Sequence, residues 1–381
     1  VYTIVTGAAV SADVNYSGVN ASDVSVTNVD DDVSGISVSA ISGNTTEAGP
    51  GTATFTIVLD SEPTADVTLA LSSDDLSEGT VLPASVTFTS ANWSSAQTIT
   101  VTGVDDAIAD GDQVYTIVTG AAVSADVNYS GVNASDVSVT NEDDDVSGIS
   151  VGAISGNTTE AGPGTATFTI VLDSEPTADV TIALSSDDLS EGTVLPASVT
   201  FTSANWSSAQ TITVTGVDDA IADGDQIYTI VTGAAVSADV NYSGANASDV
   251  AVTNEDDDVS GISVGAISGN TTEGGVQATF SVVLNTQPTS DVVLTVLSGD
   301  ATEGSVAPAT LTFTNGNWDS PQTVTVTGLD DALVDGDQTY DVTISVDDAS
   351  SDDTYDPLAD QTVSVTNVDD DAAGITLGAI S

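Results

Sequence analysis

The sequence predicts an all-β fold made of tandem, seven-stranded immunoglobulin-like β-sandwiches arranged head to tail. The first observation behind this prediction is an internal repeat: VYTIVTG begins at Val1 and Val114, and IYTIVTG begins at Ile227, at a constant step of 113 residues. The second is that each repeat consists of short runs of alternating apolar and polar residues separated by turn residues, which is typical of β-strands. No stretch has sustained helical spacing.

A second recurring motif marks the ends of the repeats. DDDVSGIS begins at Asp30, Asp143 and Asp256, and its variant DDDAAGIT begins at Asp369. A fixed period of this kind indicates an array of similar units. We expect the C-terminal strands of a preceding repeat in 1–32, complete repeats in 33–145, 146–258 and 259–371, and the first strand of a following repeat in 372–381. The chain is therefore expected to be a window cut from a longer array.

Seven strands are expected in the first complete repeat, and this number in about 110 residues suggests an immunoglobulin-like sandwich. They are A at 36–41, B at 52–59, C at 67–72, D at 85–89, E at 98–104, F at 114–118 and G at 136–141. Phe55, Trp93 and Tyr115 are expected in the core or at its rim rather than in contact with a ligand.

The composition excludes several classes of function. Asp and Glu number 58, and the chain has no Lys, Arg, His, Cys or Met. It therefore has no imidazole base, no thiolate and no zinc site of the usual kind, and no basic surface for nucleic acid or anionic membranes. The chain contains no apolar run of about 18 residues, so the sequence predicts no membrane span. Hydrophobic residues make up 40% of the chain and are rich in strand formers, which argues against disorder.

The acidic residues are concentrated at one end of each predicted sandwich. Because strands run alternately up and down, loops A–B, C–D and E–F and the segment after G share this end, which we call the acidic tip. In the first repeat it is expected to carry Glu47, Asp74, Asp75, Glu78, Asp105, Asp106, Asp110, Asp112, Glu142, Asp143, Asp144 and Asp145. Without a basic side chain, carboxylates this crowded repel one another strongly. Their oxygens are the ligands that Ca²⁺ prefers, at about six to eight per ion.

The third repeat has diverged from the first two and offers an internal comparison. Its acidic tip keeps Glu273, Asp330, Asp331, Asp335, Asp337 and Asp369–Asp371. At the opposite end, Asp173 and Glu175 of the second repeat are replaced by Asn285 and Gln287. The tip acids thus persist where acids at the other end change.

Three segments of each repeat together resemble a known family. FTSANWSSAQTITVTGVDDAIADGDQVYTI (88–117) combines two strands, an Asp-Asp pair and an aromatic residue five positions after the next acid. NTTEAGPGTATFTIVL (44–59) places an acid just before a strand, and TNEDDD (140–145) is a terminal acidic run. These segments resemble Calx-β domains, which are immunoglobulin-like sandwiches that bind Ca²⁺ at one tip. The resemblance covers most of every repeat.

The resemblance implies Ca²⁺ ligands in all three tips. They are Glu47, Asp105, Asp106, Asp110, Asp143, Asp144 and Asp145 in the first repeat, Glu160, Asp218, Asp219, Asp223, Asp256, Asp257 and Asp258 in the second, and Glu273, Asp330, Asp331, Asp335, Asp369, Asp370 and Asp371 in the third. The count of tip acids adds Asp112, Asp225 and Asp337 as further candidates. Gln113, Gln226 and Gln338 stand where the family often has Glu, which leaves the number of ions per tip open.

The predicted function is structural. Asp143–Asp145 leave one tip and 146–148 enter the opposite end of the next repeat, so bound Ca²⁺ is expected to stiffen the linker. The expected partners are calcium ions, neighbouring repeats and like chains in a fibre, with a glycan or surface ligand left open. Arrays of this kind resemble bacterial surface adhesins and matrix proteins, which implies an extracellular or cell-surface filament, adhesin stalk or matrix protein. A D-x-N-x-S-G fragment at Asp239–Gly244 suggests a further calcium loop at the end opposite the tip.

Two alternatives remain open from the sequence. One is an array of carbohydrate-binding modules in which Trp93, Trp206 and Trp318 stack on sugars. The other is an acidic halophile surface protein without specific metal sites. An enzyme would have to use paired carboxylates, as glycosidases do. We expect no enzyme, because the same acidic cluster recurs in every repeat.

Overall fold

A computed structural model describes residues 1–49, 51–162 and 164–376 of the chain. The chain divides into two compact units, Val1–Ser147 and Gly148–Ser381. The regular structure of the described residues consists of β-strands, which confirms the all-β fold class. Within this part of the chain, no helix has the length and apolar character needed to cross a membrane.

The described residues of the first unit form twelve strands. They are β1 (Tyr2–Ile4), β2 (Val24–Val26), β3 (Ile36–Val38), β4 (Thr45–Thr46), β5 (Thr52–Leu59), β6 (Val67–Ser73), β7 (Gly79–Leu82), β8 (Ser85–Phe88), β9 (Gln97–Gly103), β10 (Gln113–Thr119), β11 (Val123–Ser124) and β12 (Val137–Glu142).

The second unit contains two further sandwiches. The strands of the first are β13 (Ile149–Val151), β14 (Thr158–Thr159), β15 (Thr165–Leu172), β16 (Val180–Ser186), β17 (Gly192–Leu195), β18 (Ser198–Phe201), β19 (Gln210–Gly216), β20 (Gln226–Thr232), β21 (Val236–Ser237) and β22 (Val250–Glu255). Those of the second are β23 (Ile262–Val264), β24 (Thr271–Thr272), β25 (Gln277–Leu284), β26 (Val292–Ser298), β27 (Gly304–Ala307), β28 (Thr310–Phe313), β29 (Gln322–Gly328), β30 (Gln338–Val346) and β31 (Gln361–Val368).

Each complete repeat is a sandwich of two sheets. In the first repeat, one sheet has the order β3-β5-β9-β7 and the other β11-β6-β10-β12-β4, with β8 also paired to β6. The second repeat has β13-β15-β19-β17 and β14-β22-β20-β16-β18, and the third has β23-β25-β29-β27 and β24-β31-β30-β26-β28. The 113-residue sequence repeat therefore corresponds to one sandwich, built three times.

The core lies between the two sheets and follows from the alternation along the strands. In β5, every second side chain is buried, from Ala53 and Phe55 to Ile57 and Leu59. β10 faces it with Tyr115 and Ile117, while Val114 on the same strand points outward. Because side chains of a strand alternate between faces, this pattern fixes the register of the sheet. Phe55 and Tyr115 are buried and Trp93 packs against the core from its rim, as expected.

Two of the predicted strands differ from those in the structure. Strand A, expected over 36–41, ends at Val38 in β3, and the chain then crosses to the other sheet as β4. Strand D, expected over 85–89, is preceded by β7, which pairs with β9, whereas β8 pairs with β6. The chain switches sheets at Pro83, whose missing N–H cannot take part in a ladder. Because both halves of D run in the same direction, the assignment of loops to the two ends is unchanged.

The terminal segments are described in part. β1 and β2 form an antiparallel pair, the pairing expected of strands F and G of a preceding repeat. No strand is present in the described residues 372–376, and 377–381, which belong to the expected first strand of a following repeat, lie outside the described residues. The residue limits of the repeats stay predictions.

Replacing Ile117 by Ala should destabilise the first repeat by about 2–5 kcal/mol, because a fully buried side chain leaves a cavity. The matched control is Val114→Ala on the same strand, where the side chain is 67% exposed and the change should stay within about 0.5 kcal/mol. Urea unfolding of the full chain, with hydrogen exchange followed in 52–142, measures both. Equal losses would mean that the assigned faces of β10 are wrong.

Candidate metal centre

The acidic tip of the first repeat is assembled by four chain segments that end at the same edge of the sandwich. They are the turn after β4, the loop before β7, the loop between β9 and β10, and the residues after β12. The strands fix the positions at which these segments begin and end, and the carboxylates lie in the segments between the strands. The sequence prediction that the acids of these segments share one end is therefore consistent with the topology.

Glu47 is brought into the tip by a parallel strand pair. β4 pairs with β12 so that Thr45 lies opposite Asn141, and the Glu47 N–H donates to the Glu142 carbonyl at 3.0 Å. Extending the chain along β12 carries the Glu47 side chain under the sandwich, where only 2% of it is exposed. Glu160 and Glu273 occupy the same position in the second and third repeats, at 2% and 4% exposure.

Glu78 is a tip residue that was absent from the predicted ligands. It precedes Gly79, where a Cβ would overlap the ring of Tyr115, so the glycine allows the chain to pass close under the core. The Val104 N–H donates to the Glu78 carbonyl at 3.0 Å, and the side chain is 7% exposed. The signal in the sequence is an acid followed by Gly at this place in each repeat, at Glu78, Glu191 and Glu303.

The loop between β9 and β10 is tied to the residues after β12 by carboxylate hydrogen bonds. Gly111 adopts a φ of 77°, which favours glycine, and its N–H donates to Asp143 Oδ2 at 2.6 Å. Asp143 N–H donates in turn to Asp112 Oδ1 at 3.3 Å, and Asp145 N–H donates to Asp143 Oδ1 at 2.8 Å. Asp112 and Asp143 thus hold the two segments together. The same bonds recur at Gly224–Asp256 and Gly336–Asp369.

Within these tips, acidic side chains converge closely enough to share an ion. In each group, one carboxylate oxygen per residue lies within 4.8 Å of the others. The groups are Glu47, Asp106 and Asp145 in the first repeat, Glu160, Asp256 and Asp258 in the second, and three sets in the third: Glu273, Asp330 and Asp370; Glu273, Asp369 and Asp371; and Glu303, Asp331 and Asp335. The last set includes the equivalent of Glu78.

The remaining predicted ligands lie in the same segments but outside these groups, as judged over the described residues. They are Asp105, Asp110, Asp112, Asp143 and Asp144 in the first repeat, Asp218, Asp219, Asp223, Asp225 and Asp257 in the second, and Asp337 in the third. Asp110 and Asp143 are still close enough to act on Glu47 electrostatically. Asp143 ties the loop between β9 and β10 to the residues after β12, whereas its equivalents Asp256 and Asp369 both tie these segments and belong to converging groups.

Burial and mutual repulsion raise the pKa of the carboxyls at the centre of each tip. Loss of solvation, followed by the charges of Asp106, Asp143, Glu78 and Asp110, raises the pKa of Glu47 to about 7. Glu160 has its pKa raised to about 7 by the corresponding surroundings. The pKa values of Glu78 and Asp145 are also raised, chiefly by desolvation. Each tip therefore holds carboxylates in surroundings that disfavour their charge.

One oxygen in each of the first two tips has no protein partner. Glu47 Oε2 and Glu160 Oε2 are buried and accept no hydrogen bond, whereas Glu47 Oε1 accepts one from the Asn141 amide. A buried carboxylate oxygen without a partner costs free energy unless a ligand or a proton satisfies it. The oxygen donors of the groups suit a hard divalent cation such as Ca²⁺, and no nitrogen or sulfur ligand is present in the chain to favour zinc.

The D-x-N-x-S-G fragment at the other end of the sandwich, suggested from the sequence as a further calcium loop, is held in place by hydrogen bonds to Asp239. Asp239 Oδ2 accepts the N–H of Thr177, and Oδ1 accepts the N–H of Asn241. The neighbouring Tyr242 is fully buried, and its hydroxyl donates to the Ser174 carbonyl at 2.8 Å. Asp239 thus anchors the β21–β22 connection to the β15–β16 loop. Asp126 does the same in the first repeat.

Comparisons with known proteins give distant similarities to solved structures. No family model matches the chain, and no curated protein sequence matches it. Among solved structures, the chain is similar to CBD12 from CALX1.2 (14% identity, 49% of this chain and 75% of that one, TM-score 0.22) and to the calcium binding domain CBD12 of CALX1.1 (13%, 50%, 76%, 0.23). It is also similar to domains 5–6 of the S-layer protein SbsC (16%, 59%, 99%, 0.17). Similarity at this level carries no functional argument, so membership of the Calx-β family stays a prediction.

The metal-free chain should become more stable as the pH falls from about 7.5 to about 5. The folded-state pKa of Glu47 and Glu160, about 7, lies above the ordinary 4.5, so folding takes up protons in this window. The stabilisation is complete below the ordinary pKa and is lost as the pH rises through about 7. Thermal unfolding in chelator at several pH values measures it.

The matched variant for this pH dependence carries Glu47→Gln and Glu160→Gln, whose side chains stay neutral throughout. Its rise in stability towards pH 5 should be smaller than that of the parent chain. Asp126 and Asp239 have lowered pKa values, so their contribution is lost only at lower pH and does not obscure the window. A parent chain that loses stability steadily from pH 7.5 to 5 would contradict the assignment.

Proposed function

We propose that this protein is a calcium-stabilised structural repeat array of an extracellular filament, adhesin stalk or matrix protein, and that it is not an enzyme. The observation that carries the proposal is the partnerless, buried Oε2 of Glu47 and Glu160, each in a group of converging carboxylates. The chain has no Lys, Arg or His to neutralise these groups. A cation from solution is the neutralising partner that fits their oxygen ligands.

The purpose of the ion would be to join segments that are far apart in sequence. In the first repeat, Glu47 follows β4, Asp106 follows β9 and Asp145 follows β12. One ion bound by these residues would therefore join three separate segments of one sandwich. The ion would replace carboxylate repulsion by attraction at the tip. Because the ion binds the folded tip and not the unfolded chain, it stabilises the fold.

Contacts inside the second unit support a role at a junction between repeats. The loop that carries Asp219 and Asp223 also contains Ala220, whose carbonyl accepts the N–H of Gln287 in the third repeat at 2.6 Å. Within the third repeat, Ser260, two residues after the acidic run, donates its Oγ–H to the Thr354 carbonyl at 2.9 Å and so fixes the segment that leaves the tip. A tip held by calcium would therefore hold the surface on which the next repeat rests. This is the basis for proposing that calcium stiffens the array.

The alternatives gain less support from the side chains. Trp93, Trp206 and Trp318 are partly buried and pack against the three cores, so stabilising the sandwich accounts for them without a sugar ligand. A merely solvated acidic surface does not account for glutamates that are 2% exposed. The proposed partners are accordingly calcium ions, neighbouring repeats and like chains, at the cell surface or outside the cell.

Glu47→Gln and Glu160→Gln together should weaken calcium binding at two tips by about tenfold or more, because affinity follows the charge of the ligand set. Calorimetric titration of the full chain measures the affinity and the number of ions. The matched control is Glu62→Gln with Glu175→Gln at the other end, where the third repeat already has Gln287. Equal weakening in the control would indicate general electrostatics rather than a site.

Calcium should raise the melting temperature and reduce the flexibility of the chain. At a hundredfold excess over Kd, each site adds about 2.7 kcal/mol to the free energy of unfolding. Chelator should lower the melting temperature and make the small-angle scattering profile that of a more flexible chain. Unchanged curves at moderate salt would refute the proposal. If NaCl alone reproduced the effect of calcium, the tips would be ordinary solvated acidic surfaces.

A further inference from the structure

A buried asparagine lies at the centre of each acidic tip. The side chains of Asn141, Asn254 and Asn367 are 0%, 0% and 1% exposed. Each stands near the end of the last strand of its repeat, just before the terminal acidic run, where an alternating strand would carry an apolar side chain into the core. A buried primary amide must have its hydrogen bonds satisfied. Its partners therefore indicate what it does.

The amide nitrogen of Asn141 faces the two buried glutamates of the tip. Asn141 Nδ2 lies 3.2 Å from Glu47 Oε1, 3.5 Å from Glu78 Oε2 and 3.0 Å from the Val104 carbonyl oxygen. The amide thus joins the turn after β4, the loop before β7 and the loop after β9. It provides the partial positive charge that no side chain of this sequence provides as a full charge.

The second repeat reproduces this arrangement closely. Asn254 Nδ2 lies 3.2 Å from Glu160 Oε1, 3.4 Å from Glu191 Oε2 and 3.0 Å from the Val217 carbonyl oxygen. The third repeat keeps only part of it. Asn367 Nδ2 lies 3.3 Å from Glu303 Oε2, whereas Glu273 Oε2 accepts the N–H of Asp370.

The orientation of the amide is fixed by its other side. Thr45 Oγ1 donates to Asn141 Oδ1 at 3.0 Å and is itself within 3.1 Å of the Tyr115 hydroxyl. Because Oδ1 accepts from Thr45, Nδ2 points to the glutamates. Gly103 on β9 leaves the necessary space, since a Cβ there would overlap Asn141 Oδ1 and the Thr46 carbonyl oxygen. Glycine, threonine and tyrosine recur at these places in all three repeats.

We propose that Asn141 and Asn254 are positioning residues for the cation, which they do not themselves bind. Each amide donates to one oxygen of the glutamate that follows β4 or β14. It also donates to the glutamate of the loop before β7 or β17, so it holds the two glutamates close together. The other oxygen, Glu47 Oε2 or Glu160 Oε2, is buried without a hydrogen-bond partner, in a glutamate that belongs to a group of converging carboxylates. This inference rests on the proposed calcium function and assigns the residue that prepares the tip for the ion.

The test uses the full chain with Asn141→Leu and Asn254→Leu, which preserve approximate volume and remove the amide. Calcium affinity, measured by calorimetry at a temperature where circular dichroism shows a folded chain, should fall about 10- to 100-fold at these two tips, as for other residues that orient metal ligands. The tip of the third repeat, with Asn367 intact, should keep its affinity. Asn141→Ser with Asn254→Ser is the second pair, for use if the leucine pair does not fold.

The matched control is Asn44→Leu with Asn157→Leu. Asn44 Nδ2 also donates to a glutamate, Glu142 Oε1 at 2.8 Å, and Asn157 donates to Glu255 Oε1 at the same distance, but neither glutamate belongs to a converging group. Calcium affinity should be unchanged in this control. Melting of the metal-free chain provides a second readout, and it should fall further in the Asn141 and Asn254 variants than in the control.

The outcomes separate the two proposals. If the parent chain takes up calcium and the leucine or serine pair binds it equally well, the positioning role is refuted and the calcium function stands. A lower melting temperature with unchanged affinity would likewise reduce Asn141 to a purely structural residue. If the parent chain takes up no calcium, the proposed function fails, and the positioning role fails with it.

Discussion

The constraint that governs this molecule is the burial of carboxylates in a chain that has no cationic side chain. Packing two sheets face to face brings four loops to one edge, and in this sequence each of those loops carries acids. Some of these acids are almost fully enclosed, as Glu47 and Glu78 are. The sandwich cores provide the free energy that keeps the fold together, and the tips oppose it through desolvation and repulsion.

Uncharged hydrogen-bond donors partly offset this repulsion between carboxylates. Backbone N–H groups at Gly111 and Asp145 donate to Asp143, and the Asn141 amide donates to Glu47. Each such bond to a carboxylate is charge-assisted and therefore stronger than an ordinary one. Donors of this kind lower the cost of an acidic tip but do not remove its net charge. A proton or the proposed divalent cation would neutralise it, and the loop geometry therefore bears directly on the proposed ion.

Much of the fold could be predicted from the sequence because the repeat and the alternation are both exact enough to count. The 113-residue period predicted one sandwich per repeat. The alternating direction of successive strands predicted that the acids of four segments lie at one end. Strand D could not be predicted as two halves, because β7 is four residues long and its role depends on pairing with β9. Pairing partners distant in the chain leave no local signal.

The candidate site was predictable in its place but not in its organisation. Counting acids located the tip, and resemblance selected Glu47 and Asp106, which do converge. It omitted Glu78, whose burial depends on the close approach of Gly79 to Tyr115. It could not distinguish Asp143, which ties two segments, from Asp145, because both stand in one run of three identical residues. Asn141 was not noticed, since a polar residue in a strand looks exposed until its neighbours are known.

The parallel pairing of β4 with β12 has a mechanical consequence. β4 stands near the beginning of the repeat and β12 at its end, so a pull on the two ends of one sandwich slides these strands past each other. Their hydrogen bonds then bear the load together rather than breaking one after another. Glu47 follows β4 directly, and Asp145 lies three residues beyond the end of β12. An ion bound by both residues would oppose the sliding of β4 past β12. The resistance of each sandwich to stretching would then depend on the surrounding calcium concentration.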